Sequence, residues 1–147
     1  HVVIVARDYA EKYTGATNLE EACCIIHDRG ALIAGVTDGA NGSYFVWPDG
    51  TAYRCQPFPQ DSVVDTTGAG DSFHGAFLSK LAVSIRQENA LYGEFIKPID
   101  ILQSLDHKQL ESAAIFASAV SALNTQGIGG RSALPSLKSA CNLAGLE

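Results

Sequence analysis

The amino-acid sequence predicts an α/β fold in which a mostly parallel sheet is covered by helices on both faces. Strand-like apolar runs alternate along the chain with segments whose apolar residues recur at helical spacing. Two of these runs, residues 2–5 and 31–36, are continuously apolar, which is typical of strands buried on both faces. Glycine-rich turns follow strand-like segments, and such turns form sites at the carboxyl edge of a sheet.

Local signals define two helices in the first part of the chain. Residues 7–14 have a helical pattern that ends at Gly15, the residue type that most often follows a helix. Asn18 is a good N-cap, and Glu21 three residues later completes a capping box for a helix that reaches about residue 28. Between the second of these helices and the next turn lies the second apolar strand.

A hairpin follows that strand. The Pro-Asp-Gly turn signal at residues 48–50 separates two β-prone runs, residues 43–47 and 51–56, which predicts an antiparallel pair. Two prolines then interrupt regular structure before the valines at residues 63 and 64, which we expect to approach the next turn as an extended segment.

Helices dominate the rest of the chain. Residues 72–86 have apolar positions at helical spacing and form the predicted central helix. Asp106 is expected to cap a long alanine-rich helix that ends near Asn124, and Pro135 is expected to start the last helix. The less periodic residues 87–105 suit either an oligomer contact, which would make a homodimer, or a loop with short helices on the surface; we favour the loop.

Composition limits the classes of partner. The chain has 147 residues, of which 46% are apolar, so it has enough apolar material for the core of one domain. Its formal net charge is −6 and its Lys and Arg residues are scattered, which argues against a nucleic-acid partner or an anionic membrane. No apolar segment approaches membrane-spanning length and the four cysteines lack metal-type spacing. We therefore expect a cytoplasmic protein with reduced thiols.

The glycine pair at residues 68–70 is the strongest chemical signal in the chain. In Gly-Ala-Gly, two residues without a Cβ let a strand-to-helix turn form tightly and leave N–H groups exposed at the start of the central helix. That end of a helix attracts phosphate and other anions. Asp71 follows directly, and a carboxylate there could take the proton from an alcohol that attacks a bound phosphorus atom. The plainer alternative is a tight turn with Asp71 as a helix cap.

The longer string D-T-T-G-A-G-D-S-F-H-G-A-F, residues 65–77, resembles the second signature of the ribokinase family, also called the PfkB carbohydrate kinases. The resemblance implies a three-layer ribokinase-like fold and ATP-dependent phosphorylation of a sugar hydroxyl. It also implies that residues 1–147 are the C-terminal, nucleotide-binding half of the kinase domain. A chain without methionine that begins in a strand agrees with that expectation.

Roles for individual residues follow from the same resemblance. It implies that Asp71 is the catalytic base and that Gly68, Ala69 and Gly70 form the anion hole. The implied cofactors are ATP, Mg²⁺ and, in potassium-activated members, K⁺. The implied nucleotide contacts are Thr37, Gly39, Gly42, Gly70 and Ser118. The implied potassium ligands are Asp65, Thr67, Asn124, Gly127, Gly129 and Ala133.

The sequence departs from the family pattern in two places. The family often carries Asn-x-x-Glu, which assists magnesium and phosphate binding, where this chain has Ala6 and Tyr9. At the last potassium position a hydroxyl is typical, and here Ala133 stands with Ser132 beside it.

Two other functions are alternatives to the kinase. A nucleotide-binding or assembly module without catalysis fits a chain that holds only part of a two-part site. A dinucleotide dehydrogenase is disfavoured, because Gly-Ala-Gly is not the G-x-G-x-x-G fingerprint and the acid follows too closely. The sequence does not indicate which sugar is the substrate.

Overall fold

The computed structural model describes residues 1–92 and 96–146. The strands are β1 (Val2–Ala6), β2 (Ile33–Thr37), β3 (Ser43–Val46) and β4 (Ala52–Cys55). The helices are α1 (Arg7–Thr14), α2 (Leu19–Asp28), α3 (Ala69–Tyr92), α4 (Pro98–Ser104), α5 (His107–Asn124) and α6 (Leu137–Ala144), with a short 3₁₀ turn at Gly39–Asn41. Strands and helices alternate as the sequence predicts for the first part of the chain.

The four described strands form a mixed sheet in the order β1-β2-β3-β4, so the expectation of a mostly parallel sheet is wrong for them. Only β1 and β2 are parallel; β3 and β4 each run antiparallel to the preceding strand. The reason is the length of the connections. A parallel crossover needs about a dozen residues or more, whereas β2 and β3 are joined by the short segment at residues 38–42.

Helices cover both faces of the sheet, which gives the predicted three layers. Side chains alternate along β2, so that Ile33 faces one core while Ala34 and Val36 face the other. The first core is closed by α3, α4, α5 and α6, and the second by α1 and α2. Each face of the central strand is therefore buried against helices.

Stacked aromatic rings fix α3 against the sheet. The Phe45 ring lies 4.9 Å from the Trp47 ring and 5.3 Å from the Phe77 ring, centroid to centroid. Gly35 on β2 makes room for this stack, because a Cβ there would lie 2.6 Å from the Phe45 ring. The packing sets the position at which α3 begins, and hence the position of the glycine turn.

The predicted ends of α1 and α2 are confirmed. Gly15 adopts φ 80° and donates its N–H to the carbonyl oxygen of Glu11, which ends α1. The Asn18 side chain accepts from the N–H groups of Glu20 and Glu21 at the start of α2. The return bond from the Glu21 side chain, which would complete the capping box, is absent from the hydrogen bonds of the described residues.

The segment before α3 differs from the prediction. Val63 and Val64 lie in irregular chain and are 60% and 53% exposed, so the turn at residues 68–70 joins a loop, not a strand, to the helix. Their backbone is bonded to the residue after α5: the Val64 N–H donates to the Thr125 carbonyl oxygen at 2.8 Å. The helix also starts earlier than expected, at Ala69.

The connection after α3 is partly helical. The helix continues to Tyr92, beyond the predicted end at residue 86, and α4 follows from Pro98. Residues 93–95 of the expected loop or homodimer contact lie outside the described residues. Asp106 caps α5 as predicted, while α6 begins after Ser136. No described helix is both long and apolar enough to cross a membrane, and the four cysteines are free.

Candidate active site

The glycine turn at the start of α3 is held in one shape by its neighbours. The Ala69 N–H donates to the Thr66 carbonyl oxygen at 3.1 Å, and Gly68 inside this turn has φ 76°. That conformation favours glycine at the third position of a turn. The turn also packs against a second loop, because a Cβ on Gly68 would lie 2.5 Å from the Gly130 Cα. The sequence signal therefore corresponds to both a backbone and a packing requirement.

Three N–H groups of this turn have no acceptor among the described residues: those of Gly68, Gly70 and Asp71. The Ala69 N–H is bonded to Thr66, so the unbonded donors are not the same three residues that the family resemblance implies. The space in front of Gly70 is open, since a Cβ there would meet no heavy atom within 4 Å. An anion can reach these donors, and the start of a 24-residue helix adds a favourable field.

Asp71 lies at the mouth of a cleft between α3, α5 and the segment that precedes α6. The side chain is exposed and makes no hydrogen bond or ion pair with the described part of the chain. The cleft has a volume of about 470 Å³. The carboxylate is therefore available to a ligand, and it stands beside the unbonded amides of its own turn.

The start of α3 is anchored by two other elements, α5 and β1. The hydroxyls of Ser72 and of Ser121 on α5 both donate to the Ala69 carbonyl oxygen at 2.9 Å. The His74 Nε2 lies 3.0 Å from the Ile4 carbonyl oxygen of β1. These contacts orient the start of the helix relative to the sheet and to α5, and they involve His74 in the scaffold. The sequence pattern around the glycines gave no indication of the Ser121 contact.

The predicted nucleotide loop lies at the carboxyl edge of β2. Thr37 ends the strand, and its hydroxyl is 3.5 Å from the Val5 carbonyl oxygen of the parallel neighbour β1. Gly42 has φ 88° and a Cβ there would lie 2.3 Å from the Cys55 carbonyl oxygen, so this glycine is required by the hairpin. The Gly42 N–H is bonded to the Gly39 carbonyl oxygen, whereas the Gly39 N–H has no acceptor in the described residues.

An ion-pair network supports this loop, and the sequence reasoning missed it. The Arg7 Nη1 lies 2.8 Å from the Asp38 Oδ2, and the Arg7 Nε lies 2.9 Å from the Glu11 Oε1. The hydrogen bond to Glu11 and the charge of Asp38 raise the pKa of the Arg7 guanidinium. Asn41 donates its side-chain amide to the same Asp38 oxygen at 3.1 Å. The i, i+4 spacing of Arg7 and Glu11 was the only local signal.

Ser118, the predicted adenine contact, lies half-buried on α5. Its hydroxyl is 3.4 Å from the Gln56 carbonyl oxygen just after β4. Ser118 therefore faces the end of the hairpin and lies before Asn124 along α5, not beside it. Its contact with a nucleotide remains a prediction.

The residues of the predicted potassium site meet where two loops touch. The Asp65 carboxylate accepts from the Thr67 N–H and from the Gly129 N–H, both at 2.8 Å, and these two bonds lower the pKa of Asp65. The Gly127 backbone lies against Ala133, since a Cβ on Gly127 would be 2.8 Å from the Ala133 Cβ. Asp65 thereby holds together the loop before α3 and the loop after α5.

Asn124 is the member of this group that suits a cation. Its side chain is fully buried; the amide nitrogen donates to the Gly130 carbonyl oxygen at 3.2 Å, and the Oδ1 has no partner among the described residues. A buried oxygen without a donor is a feature that an ion can explain. Ala133 offers no hydroxyl, and the neighbouring Ser132 hydroxyl donates to the Ile128 carbonyl oxygen.

The chain matches the family model described as pfkB family carbohydrate kinase over residues 1–137. It is 30% identical over 116 residues to the bifunctional ribokinase/ribose-5-phosphate isomerase A of Fructilactobacillus sanfranciscensis, covering 79% of this chain and 17% of that protein. It is 33% identical over 92 residues to the aminoimidazole riboside kinase of Salmonella typhimurium, covering 63% of this chain and 28% of that protein.

Solved structures show the same fold. A fructokinase double mutant from Vibrio cholerae O395 superposes with a TM-score of 0.76 at 24% identity, covering 97% of this chain and 40% of that one. The aminoimidazole riboside kinase of Salmonella enterica gives a TM-score of 0.71 at 24% identity, covering 97% and 41%. The chain thus spans well under half the length of each of these relatives. From the match over residues 1–137, the chain belongs to the pfkB family of carbohydrate kinases.

Proposed function

We propose that this chain carries the nucleotide site and the catalytic base of a kinase that transfers the γ-phosphoryl group of ATP to a hydroxyl of a sugar or a related alcohol. One observation carries the proposal: an exposed Asp71 carboxylate and the unbonded N–H groups of Gly70 and Asp71 stand together at the start of α3. A base and an anion hole in one turn are what phosphoryl transfer to an alcohol needs.

This geometry supports the following roles. The Asp71 carboxylate takes the proton of the acceptor hydroxyl while the hydroxyl oxygen forms a bond to the γ-phosphorus. The bond between that phosphorus and the β,γ-bridging oxygen breaks, and its electron pair leaves with ADP. The N–H groups of Gly68, Gly70 and Asp71 donate to the oxygens of the transferred group, where negative charge must be stabilised as the group moves. The anchors at Ser121 and His74 keep these donors in place.

Residues at the sheet edge would hold the nucleotide. We assign Thr37, Gly39 and Gly42 to the phosphate and ribose end and Ser118 to the adenine end. The Arg7 network supports this assignment, because it fixes Asp38 and Asn41 and with them the loop after β2. The fructokinase structure is described as bound to fructose, ADP and potassium ion, and an Arabidopsis thaliana ribokinase structure as complexed with ribose and ATP.

The two metal ions fit to different degrees. K⁺ is a cation that protein oxygens can hold in place of water, and the orphaned Asn124 Oδ1 and the Asp65 carboxylate fit it. Its positive charge would lie beside the anion hole. Mg²⁺ lacks its usual family ligands, because Ala6 stands where the family has asparagine and Tyr9, whose ring is 57% exposed and stacked on Tyr13, stands where the family has glutamate. We assign no protein ligand to it.

The test is the Asp71→Asn variant of the intact protein, assayed with ATP and a panel of sugars, nucleosides and polyols. The amide cannot accept the hydroxyl proton, so kcat should fall by at least ~10²-fold, the scale of general-base catalysis. Asp28→Asn, which removes an equally charged and exposed acid at the end of α2, is the matched control and should keep full activity. Turnover retained by Asp71→Asn would contradict the proposed role of Asp71.

A further inference from the structure

Arg131 is a second charged residue in the cleft that opens at Asp71. Of the residues that line this cleft of about 470 Å³, only Asp71 and Arg131 carry a charge; the remainder are serines, glycines and apolar side chains. Arg131 belongs to the loop after α5, which was assigned above only to the potassium site. This cation and the proposed base line the same cleft, which points to a role for Arg131 in the same reaction.

The loop that carries Arg131 is fixed to the anion hole. The Gly129 N–H donates to the Asp65 Oδ2 at 2.8 Å, and the Gly130 carbonyl oxygen accepts from Asn124 at 3.2 Å. Gly130 itself packs against Gly68, where an added Cβ would lie 2.5 Å from the Gly130 Cα. Gly130, the residue immediately before Arg131, therefore contacts the turn that carries the unbonded amides. The backbone at Arg131 is thus already held in place before a ligand binds.

The Arg131 side chain is exposed and uncommitted within the described residues. It forms no ion pair or hydrogen bond with residues 1–92 or 96–146. Arg7 and Arg29 are occupied, by Asp38 and by the Tyr13 carbonyl oxygen. Arg54 and Arg86 also lack such a partner in the described residues, but neither lines this cleft. An arginine that is held near a site but has no internal partner is available for an external anion.

The charge of a phosphoryl group in transfer suits such a cation. The transferred phosphoryl carries negative charge on three oxygens, and the cleft already holds the negative Asp71 in a chain of net charge −6. The planar guanidinium donates two parallel N–H bonds to phosphate oxygens and stays charged at any physiological pH. A guanidinium would therefore add its positive charge to that of the proposed K⁺ and to the donors of the amide hole.

We propose that Arg131 contacts the transferred phosphoryl group during its passage from ATP to the acceptor oxygen that Asp71 deprotonates. The inference rests on the proposed function, because it adds a donor to the same site. Arg131 binds the oxygens most strongly when the bond to the bridging oxygen of ADP is breaking, and it makes no bond to the acceptor alcohol.

A transition-state mimic tests this contact without relying on turnover. Binding of ADP alone and of ADP with aluminium fluoride, which imitates a phosphoryl group in transfer, is measured by calorimetry on the intact protein with magnesium present. In the wild type, aluminium fluoride should tighten binding. In Arg131→Gln most of that gain should be lost while the affinity for ADP stays unchanged, and Arg131→Lys should keep part of it. Arg86→Gln, which removes the same charge from an exposed site farther along α3, should behave as the wild type.

Kinetics give the second readout. Arg131→Gln should lower kcat on the order of 10²-fold, as the loss of one transition-state donor does, with the KM values for ATP and acceptor little changed. A wild-type protein that does not bind ADP would overturn the proposed function and this inference with it. ADP binding with an equal aluminium fluoride gain in Arg131→Gln would overturn the role of Arg131 alone, as would a defect confined to the KM of the acceptor.

Discussion

Gly68 and Gly70 lie two residues apart in one turn, yet different physical constraints act on them. Gly68 has φ 76° and faces Gly130, so a side chain there is opposed by both the backbone conformation and the adjacent loop. Gly70 has no positive φ and nothing within 4 Å of a built Cβ. The first glycine is needed to fold the turn, and the second keeps open the space in front of the free amides.

Substitution by alanine should separate these two requirements. Gly68→Ala should destabilise the protein by about 1–3 kcal/mol, because the methyl group overlaps the Gly130 backbone. Gly70→Ala should keep its stability within about 1 kcal/mol, since alanine is a better helix former than glycine. It should nevertheless lower kcat/KM for ATP, because its methyl group would enter the position proposed for the phosphoryl group. Urea unfolding and kinase assays on the intact protein measure the two effects. A Gly70→Ala variant with full activity would remove the Gly70 amide from the proposed hole.

The Asp65 carboxylate predicts a pH dependence of stability. The N–H of Thr67 and then that of Gly129 lower the native pKa of Asp65, so the ionised form is favoured by folding. Its contribution is complete above the unfolded pKa of about 3.9 and is lost as the pH falls through the lower native value. Asp65→Asn has one acceptor oxygen for two N–H groups and should be less stable at pH 7. The difference from the wild type should shrink below about pH 4.

Urea midpoints of the wild type and Asp65→Asn at a series of pH values from 7 to 3 measure this dependence. Asp28→Asn is the control, because Asp28 is 82% exposed and lies at the end of α2. A difference between the wild type and Asp65→Asn that stays constant over the whole pH range would show that the charge of Asp65 does not contribute.

At the scale of elements, the sequence predicted the parts whose signals are local. Gly15 ends α1, Asn18 begins α2, and the Pro-Asp-Gly turn at residues 48–50 joins the two strands of the hairpin. In each case one residue type satisfies a backbone requirement within a few positions along the chain. The parallel pairing of β1 and β2 also follows from the helices between them.

Errors arose where distant contacts decide the structure. Val63 and Val64 are β-branched and were expected in an extended approach from a strand, but their segment bonds to Thr125 beyond α5 and not to a neighbouring strand. The antiparallel direction of β3 has a local cause instead: the short connection from β2, residues 38–42, leaves no room for a parallel crossover. Arg131 and Arg7 likewise gave no motif signal, since their importance depends on loops that meet only in the fold.

The start of α5 allows a direct test of a local signal. Asp106 accepts from the Gln109 N–H at 2.7 Å, and the Gln109 side chain accepts from the Asp106 N–H at 3.0 Å. Asp106→Ala loses the side-chain acceptor and should destabilise the protein by about 1 kcal/mol. Asp106→Asn keeps an acceptor oxygen and should lose less. Thermal unfolding of both variants measures the difference, and equal losses would show that the cap bond contributes nothing.

At the scale of the whole molecule, two apolar cores hold the loops of the site in register. One core joins the sheet to α3 and α5, which position the proposed anion hole and the loop after α5. The other joins the sheet to α1 and α2, next to the nucleotide loop. The predicted site residues lie in two segments, the signature around residue 71 and the end of α5. They lie close together because both segments pack on one sheet. The signature predicted phosphoryl transfer, and the packing determines how far apart the predicted residues lie.

This organisation predicts which step the 147-residue chain can perform alone. Each residue that we assign to the nucleotide lies in this chain. The superposition of the chain on the Vibrio cholerae fructokinase, however, covers only 40% of that protein. Both cores lie within the described residues, so the chain should fold and bind ADP, but it should not phosphorylate fructose or ribose. Calorimetry with ADP and a kinase assay test both statements, after circular dichroism has confirmed helical structure.

Asp71→Asn should bind ADP as the unsubstituted chain does. Thr37→Val should bind it less tightly by about 1 kcal/mol, because it loses one hydroxyl hydrogen bond. Phosphorylation by the chain alone would mean that the acceptor also binds within these residues, and an equal affinity in Thr37→Val would remove the hydroxyl from the nucleotide site.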